Sequence, residues 1–155
     1  MQRMDTNYSM NKITQRGLLF ALTFIFVLSC GKKSESADQK ESTQKVISET
    51  VGLDAFQQKL NAAENPILLD VRTPAEVADG YIEGATNIDF NAADFQSKIE
   101  SLDKDATYFV YCAVGGRSRK TADLMKDLQF KAVYDLAGGF DGWRKKGLPI
   151  AQPAN

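Results

Sequence analysis

Two rhythms of apolar positions alternate along the chain. Ile67-Leu68-Leu69-Asp70-Val71 is a nearly continuous apolar run that closes in a turn at Thr73-Pro74. Thr107-Tyr108-Phe109-Val110-Tyr111 is a second, and Ala132-Val133-Tyr134-Asp135-Leu136 is a third, stopped by Gly138-Gly139. Residues 85–88 and 46–48 are shorter candidates. Such runs predict strands buried on both faces, as in parallel sheets covered by helices. Between them the apolar residues recur at helical spacing. Leu53, Phe56 and Leu60 form one stripe, and Phe95, Ile99 and Leu102 another. Ala122, Met125 and Leu128 form a third, on a helix predicted to start near Gly116. Pro74 suits a first helical turn, to which Glu76 belongs, and Arg144-Lys145-Lys146 reads as a solvated helix end. Strands alternating with helices predict an α/β domain with a mostly parallel central sheet and helices on both faces.

The N-terminal third follows neither rhythm. Residues 18–28 (LLFALTFIFVL) carry no charge and follow Arg3, Lys12 and Arg16. As a helix this run spans about 16 Å, short of the ~30 Å hydrocarbon core of a bilayer. A basic segment before a short apolar one predicts a secretory signal peptide over residues 1–29. Met4 and Met10 are alternative starts for it. The run closes at Val27-Leu28-Ser29-Cys30-Gly31, which resembles the lipobox of bacterial lipoproteins, with Cys30 as the lipidated residue. An ordinary secretion signal and a short uncleaved anchor are the alternatives. Residues 31–45 contain no large apolar side chain and cannot bury enough surface to offset their ordering entropy. The expected organisation is a signal peptide over 1–29 and a lipidated cysteine with a polar tether over 30–45. A folded domain over 46–150 and a tail over 151–155 follow. The corresponding location is the bacterial cell envelope, on its periplasmic or extracytoplasmic face.

Composition narrows the chemistry. Nineteen Lys and Arg against twenty Asp and Glu leave a formal charge of −1, which gives no reason to expect nucleic-acid binding. The chain has no histidine, which removes the Ser-His-Asp triad, Cys-His proteases and imidazole-based zinc sites. Two cysteines make no disulfide scaffold. No metal and no organic cofactor is expected.

The loop Cys112-Ala113-Val114-Gly115-Gly116-Arg117-Ser118 runs from a predicted strand into a predicted helix, where ligands of α/β folds gather. Gly115 and Gly116 permit the positive φ that turns successive N–H groups inward into an anion-binding nest. The helix start adds its positive dipole end and Arg117 a full charge, so a thiolate is favoured at Cys112. A cysteine at a strand end is often only a small buried hydrophobe; the glycines and the arginine set this one apart. Arg117 lies five residues after Cys112, one short of the spacing in cysteine-dependent phosphatases. Position 115 is glycine, so there is no C-x-x-C redox centre.

These residues resemble the single-domain rhodanese-like sulfurtransferases. Leu69-Asp70-Val71-Arg72-Thr73-Pro74-Ala75-Glu76, continuing through Gly80-Tyr81-Ile82-Glu83-Gly84-Ala85, is similar to the family's first signature. Cys112 to Arg117 is similar to its six-residue active-site loop, and Leu136-Ala137-Gly138-Gly139-Phe140 with Trp143, Gly147 and Pro149 to its C-terminal signature. Tyr81 stands where the family usually has histidine, and the loop interior carries no cation.

The resemblance implies a sulfurtransferase with Cys112 as catalytic nucleophile and Ala113, Val114, Gly115, Gly116 and Arg117 binding substrate. It implies sulfane sulfur moving from a small, thiosulfate-like anion to cyanide or a thiol through a Cys112 persulfide. It also implies Asp70 bracing the loops, Arg72 in a structural ion pair, and Trp143 closing the core. The expected partners are these small molecules and, through the lipid on Cys30, a membrane; the expected state is a monomer. A non-catalytic binding module on the same fold and a single-thiol redox protein are the alternatives.

Overall fold

The structure, a computed structural model, describes residues 45–153; the signal segment, Cys30 and all but the last tether residue lie outside the described residues. Strand β1 (Ile47–Val51) leads into helix α1 (Leu53–Ala62), β2 (Ile67–Asp70) and α2 (Pro74–Ala78). Then come β3 (Thr86–Asn87), α3 (Phe95–Glu100), β4 (Thr107–Tyr111), α4 (Gly116–Asp127), β5 (Ala132–Leu136) and α5 (Gly139–Lys145). The five strands form one parallel sheet in the order β1-β5-β4-β2-β3. Each apolar run read from the sequence became a strand, because strands flanked on both faces need apolar side chains at every position.

Alternation along the strands divides the core in two. Tyr108, Val110 and Cys112 point toward one face, where Leu69, Val133, Phe95, Ile99, Ala122 and Met125 bury them beneath α3 and α4. Phe109 and Tyr111 point to the other, beside Leu68 and Leu136 of the sheet and against Phe56 of α1 and Phe140 and Trp143 of α5. Phe109 is fully buried, edge-on to Phe56 at 5.3 Å and stacked on Tyr134 at 5.1 Å. Each such pair contributes about 0.5–1.5 kcal/mol beyond the area it buries. Trp143 closes this half of the core, donating its indole N–H to the Pro149 carbonyl at 2.8 Å.

The predicted strand boundaries shift by one to three residues. β1 runs three residues beyond the expected stretch, to Val51, because its pairing with β5 extends through Val51 and Leu136. Ala151 and Tyr81 exchange both backbone hydrogen bonds, at 2.8 and 2.9 Å. Tyr81 thus serves the fold through its backbone. A parallel sheet places the carboxyl ends of β2, β4 and β5 side by side, and the three signature segments leave from those ends.

Candidate active site

Cys112 follows the last residue of β4 and is 1% exposed. The Gly115 amide donates to its Sγ at 3.1 Å and the Ser118 hydroxyl at 3.6 Å. Burial alone pushes the thiol up. The backbone and hydroxyl of Ser118, then the Gly115 and Val114 amides, more than reverse this, so the thiol lies below the usual cysteine value. Hydrogen bonds to the charged form favour it. The amide nest expected around Cys112 is present.

Backbone geometry makes the nest. Gly115 adopts φ +102° at the N-cap of α4, in a region that side chains rarely tolerate. Gly116 departs from expectation. It is already the first residue of α4, its φ is not positive, and a Cβ there meets nothing within 4 Å. Val114 forms the crown of the loop at 67% exposure.

The outer side of the loop is clamped by α5. The Phe140 amide donates to the Cys112 carbonyl at 2.7 Å and the Asp141 amide to the Ala113 carbonyl at 3.0 Å. Gly139, at φ +55°, permits this approach; a Cβ there would lie 2.4 Å from the Cys112 oxygen and 2.6 Å from the Ala113 oxygen. The carbonyls are thereby held toward α5, while the Val114 amide that follows Ala113 faces the sulfur. The sequence places Gly139 at the end of a strand and in the C-terminal signature, without assigning it to the site.

Arg117, expected to bind the donor, has both terminal nitrogens on Glu76, at 2.6 and 2.8 Å. Glu76 is also the third residue of α2 and completes a capping box with Thr73. The Arg117 hydrogen bonds and the Thr73 amide hold its carboxyl well below the usual range, at about 2, against an opposing effect of burial. Arg117 is held charged chiefly by Glu76 and less by Cys112. The motif Thr-x-x-Glu was a legible sign that this carboxylate turns back toward the start of α2.

Behind the pair lies a buried hub. Arg72 donates from Nε and Nη2 to Asp70 at 2.6–3.0 Å, and also to the carbonyls of Gly80 and Glu76. Its guanidinium lies 4.0 Å over the Phe140 ring. Asp70 and Arg72 are 1% and 3% exposed and sit apart from the sulfur's hydrogen bonds, in the bracing role expected of them. A hollow of about 90 Å³ borders the loop at Ala113, walled by Glu76, Asp79, Asp141 and Arg144. A wider cleft of about 520 Å³, beside Asp103, Thr107 and Lys131, lies at the other ends of the strands and is lined by no cysteine.

The family model of the rhodanese-like domain matches residues 53–146. The chain belongs to that family. A sulfurtransferase of Allochromatium vinosum is 31% identical over 64% of this chain and 92% of its own. A thiosulfate sulfurtransferase of Pseudomonas entomophila is 39% identical over 53% of this chain and 73% of its own. The crystal structure of a rhodanese-like domain protein from Staphylococcus aureus superposes with a TM-score of 0.58 at 27% identity, covering 68% of this chain and 99% of that one. Within this rhodanese-like domain, Cys112, Ala113, Val114 and Gly115 form the loop and Gly116 and Arg117 open α4, whereas Cys30 lies outside the described residues. Ser118, Glu76 and Gly139 join the site without having been assigned to it from the sequence.

Two expected outcomes follow from this geometry. Gly139→Ala forces the loop off α5, so thiol reactivity falls by about one to two orders of magnitude with the far-ultraviolet dichroism retained. Gly142→Ala, in open space on the same helix, keeps full reactivity and serves as the control. Alkylation rates of Cys112 against pH reach half-maximum below the ordinary cysteine range. Ser118→Ala moves that midpoint up by about one pH unit, and an unmoved midpoint removes the hydroxyl from the account.

Proposed function

We propose that this rhodanese-like domain is a sulfurtransferase that carries sulfane sulfur on Cys112. The observation that carries the reading is the Sγ of Cys112 held by the Gly115 amide and the Ser118 hydroxyl, which gives a buried thiol a lowered pKa. The thiolate attacks the outer sulfur of a donor; a new S–S bond forms and the donor's bond to that sulfur breaks. The leaving group departs with the electron pair. Cys112 is left as a persulfide, with the loop amides facing its sulfur. A nucleophilic acceptor, cyanide or a thiolate, then attacks the outer sulfur and returns Cys112 as thiolate. Two half-reactions sharing one covalent intermediate give ping-pong kinetics. The named activities of the relatives support the reading, as does an intact nucleophile against a purely binding role.

Mass spectrometry checks it directly. Treatment with a sulfane-sulfur donor adds about 32 Da, one sulfur atom, to the Cys112 peptide, and cyanide removes it. Cys112→Ser neither gains the mass nor turns over. A protein that no donor loads is not a sulfurtransferase.

The same proposal places the domain at a bacterial membrane, on the extracytoplasmic side, tethered through a lipid on Cys30. Support comes from the basic segment, the short apolar run and the polar residues 31–45. Cys30→Ser is expected to release the protein from membranes or to block its processing. Unchanged processing and retention in that variant would mean an uncleaved anchor instead.

A further inference from the structure

Strand β5 carries an acid, Asp135, where a strand covered on both faces has little use for one. Val133 packs beneath α4 while Tyr134 and Leu136 pack on the opposite face. Alternation therefore turns Asp135 to the α4 side, the side of Val110 and Cys112. It is 1% exposed. Its Oδ2 accepts from the Thr50 hydroxyl at 2.9 Å and lies 3.5 Å from Nε of Arg119. Its Oδ1 is buried and meets no donor among the described residues. Buried polar atoms are nearly always met, so this one is held against a cost to the fold. Arg119 has a side chain 56% exposed and sits beyond ordinary hydrogen-bond length, so it neutralises the carboxylate incompletely. Val110 is the partner of Asp135 in the sheet, and Cys112 follows two residues later. Strand spacing then puts the Asp135 and Cys112 backbones about 8 Å apart. A half-met anion lies one strand away from the sulfur.

The other groups around the sulfur favour its anion or are matched in pairs. Arg117 of α4 attracts Cys112 as well as Glu76 of α2. Ser118 and the Gly115 and Val114 amides donate to the sulfur. Arg72, after β2, is held by Asp70, and Arg144 of α5 faces Asp141. Asp79 lies beyond Ala113 on the wall of the hollow, exposed to water that screens it. A thiolate can be favoured too far. Nucleophilicity falls as a thiol grows more acidic, with a slope of about 0.4–0.5, and the best attacking thiol titrates near ambient pH. Building on the sulfurtransferase reading, we propose that Asp135 is an electrostatic counterweight in sulfur transfer. It opposes the donors around Sγ through space and keeps the sulfur a strong nucleophile, with Arg119 as its partial shield.

Alkylation of Cys112 by iodoacetamide, an uncharged probe, reads both quantities when followed against pH. Asp135→Asn, which keeps the side chain's shape, moves the midpoint down by about half to one pH unit, as expected for a charge about 8 Å away. The same variant lowers the alkaline plateau rate about twofold. Arg119→Gln, which unshields the carboxylate, moves the midpoint up by a smaller amount, and Arg119→Lys returns it. Shifts of one sign in Asp135→Asn and Arg119→Gln, the mark of a pair that merely seats α4, would overturn the inference. So would an unmoved midpoint in Asp135→Asn, a result that leaves sulfur transfer intact. Loading of the unaltered protein by thiosulfate or glutathione persulfide, followed by mass, tests the other reading separately. Opposite midpoint shifts in a protein that neither donor loads would remove the sulfurtransferase reading and the catalytic purpose given to Asp135, while its charge effect on the sulfur stands.

Discussion

The contact on which the site depends is between two stretches of backbone. The Cys112 and Ala113 carbonyls are bound by the first amides of α5, and Gly139 leaves no atom between them. A peptide plane has two polar ends, so fixing its carbonyl toward α5 fixes the next amide away from it. The Val114 amide consequently faces the sulfur, and with the backbone and hydroxyl of Ser118 and the Gly115 amide it favours the thiolate. The amides are partial charges set in place by the fold before any substrate arrives, which is the preorganisation that makes electrostatic stabilisation effective.

The arginines around the loop serve a different purpose from the one their charge suggests. Arg72 joins β2, α2, the turn at Gly80 and the ring of Phe140 from a nearly inaccessible position. Taking a guanidinium out of water is tolerable only when its donors are met, and Asp70 with two carbonyls meets them. Arg117 repeats the arrangement closer to the surface with Glu76, whose carboxylate also caps α2. One acidic residue thereby couples the loop after β2 to the loop after β4. These ion pairs hold the loops in register.

What could be read beforehand divides along sequence distance. The strands, the α1, α3 and α4 stripes, the start of α4 at Gly116 and the turn toward Sγ depend on neighbours within a few residues. They were legible from periodicity and from glycine. The Glu76–Arg117 pair spans 41 residues, and the meeting of Gly139 with Cys112 spans 27 in the sequence. Neither is expressed in any local pattern, because a glycine that ends a strand and a glycine that admits another backbone look alike. Gly116 shows the opposite limit. Its composition suggested positive φ, but the helix had already begun there, and helical geometry overrode the residue's freedom.

The clamp on the loop also fixes when the site comes into being. β4 can pair with β2 from nearer in the chain, but the amides that orient the loop belong to residues 140 and 141, beyond β5. β5 in turn pairs with β1 across 85 residues, Ile47 to Ala132, and contacts of such separation form late because loop closure must be met first. During synthesis the nucleophile therefore exists as an ordinary cysteine until the last helix docks. Thiol acidity is a property of the finished tertiary structure, and a chain still unfolded exposes no activated sulfur.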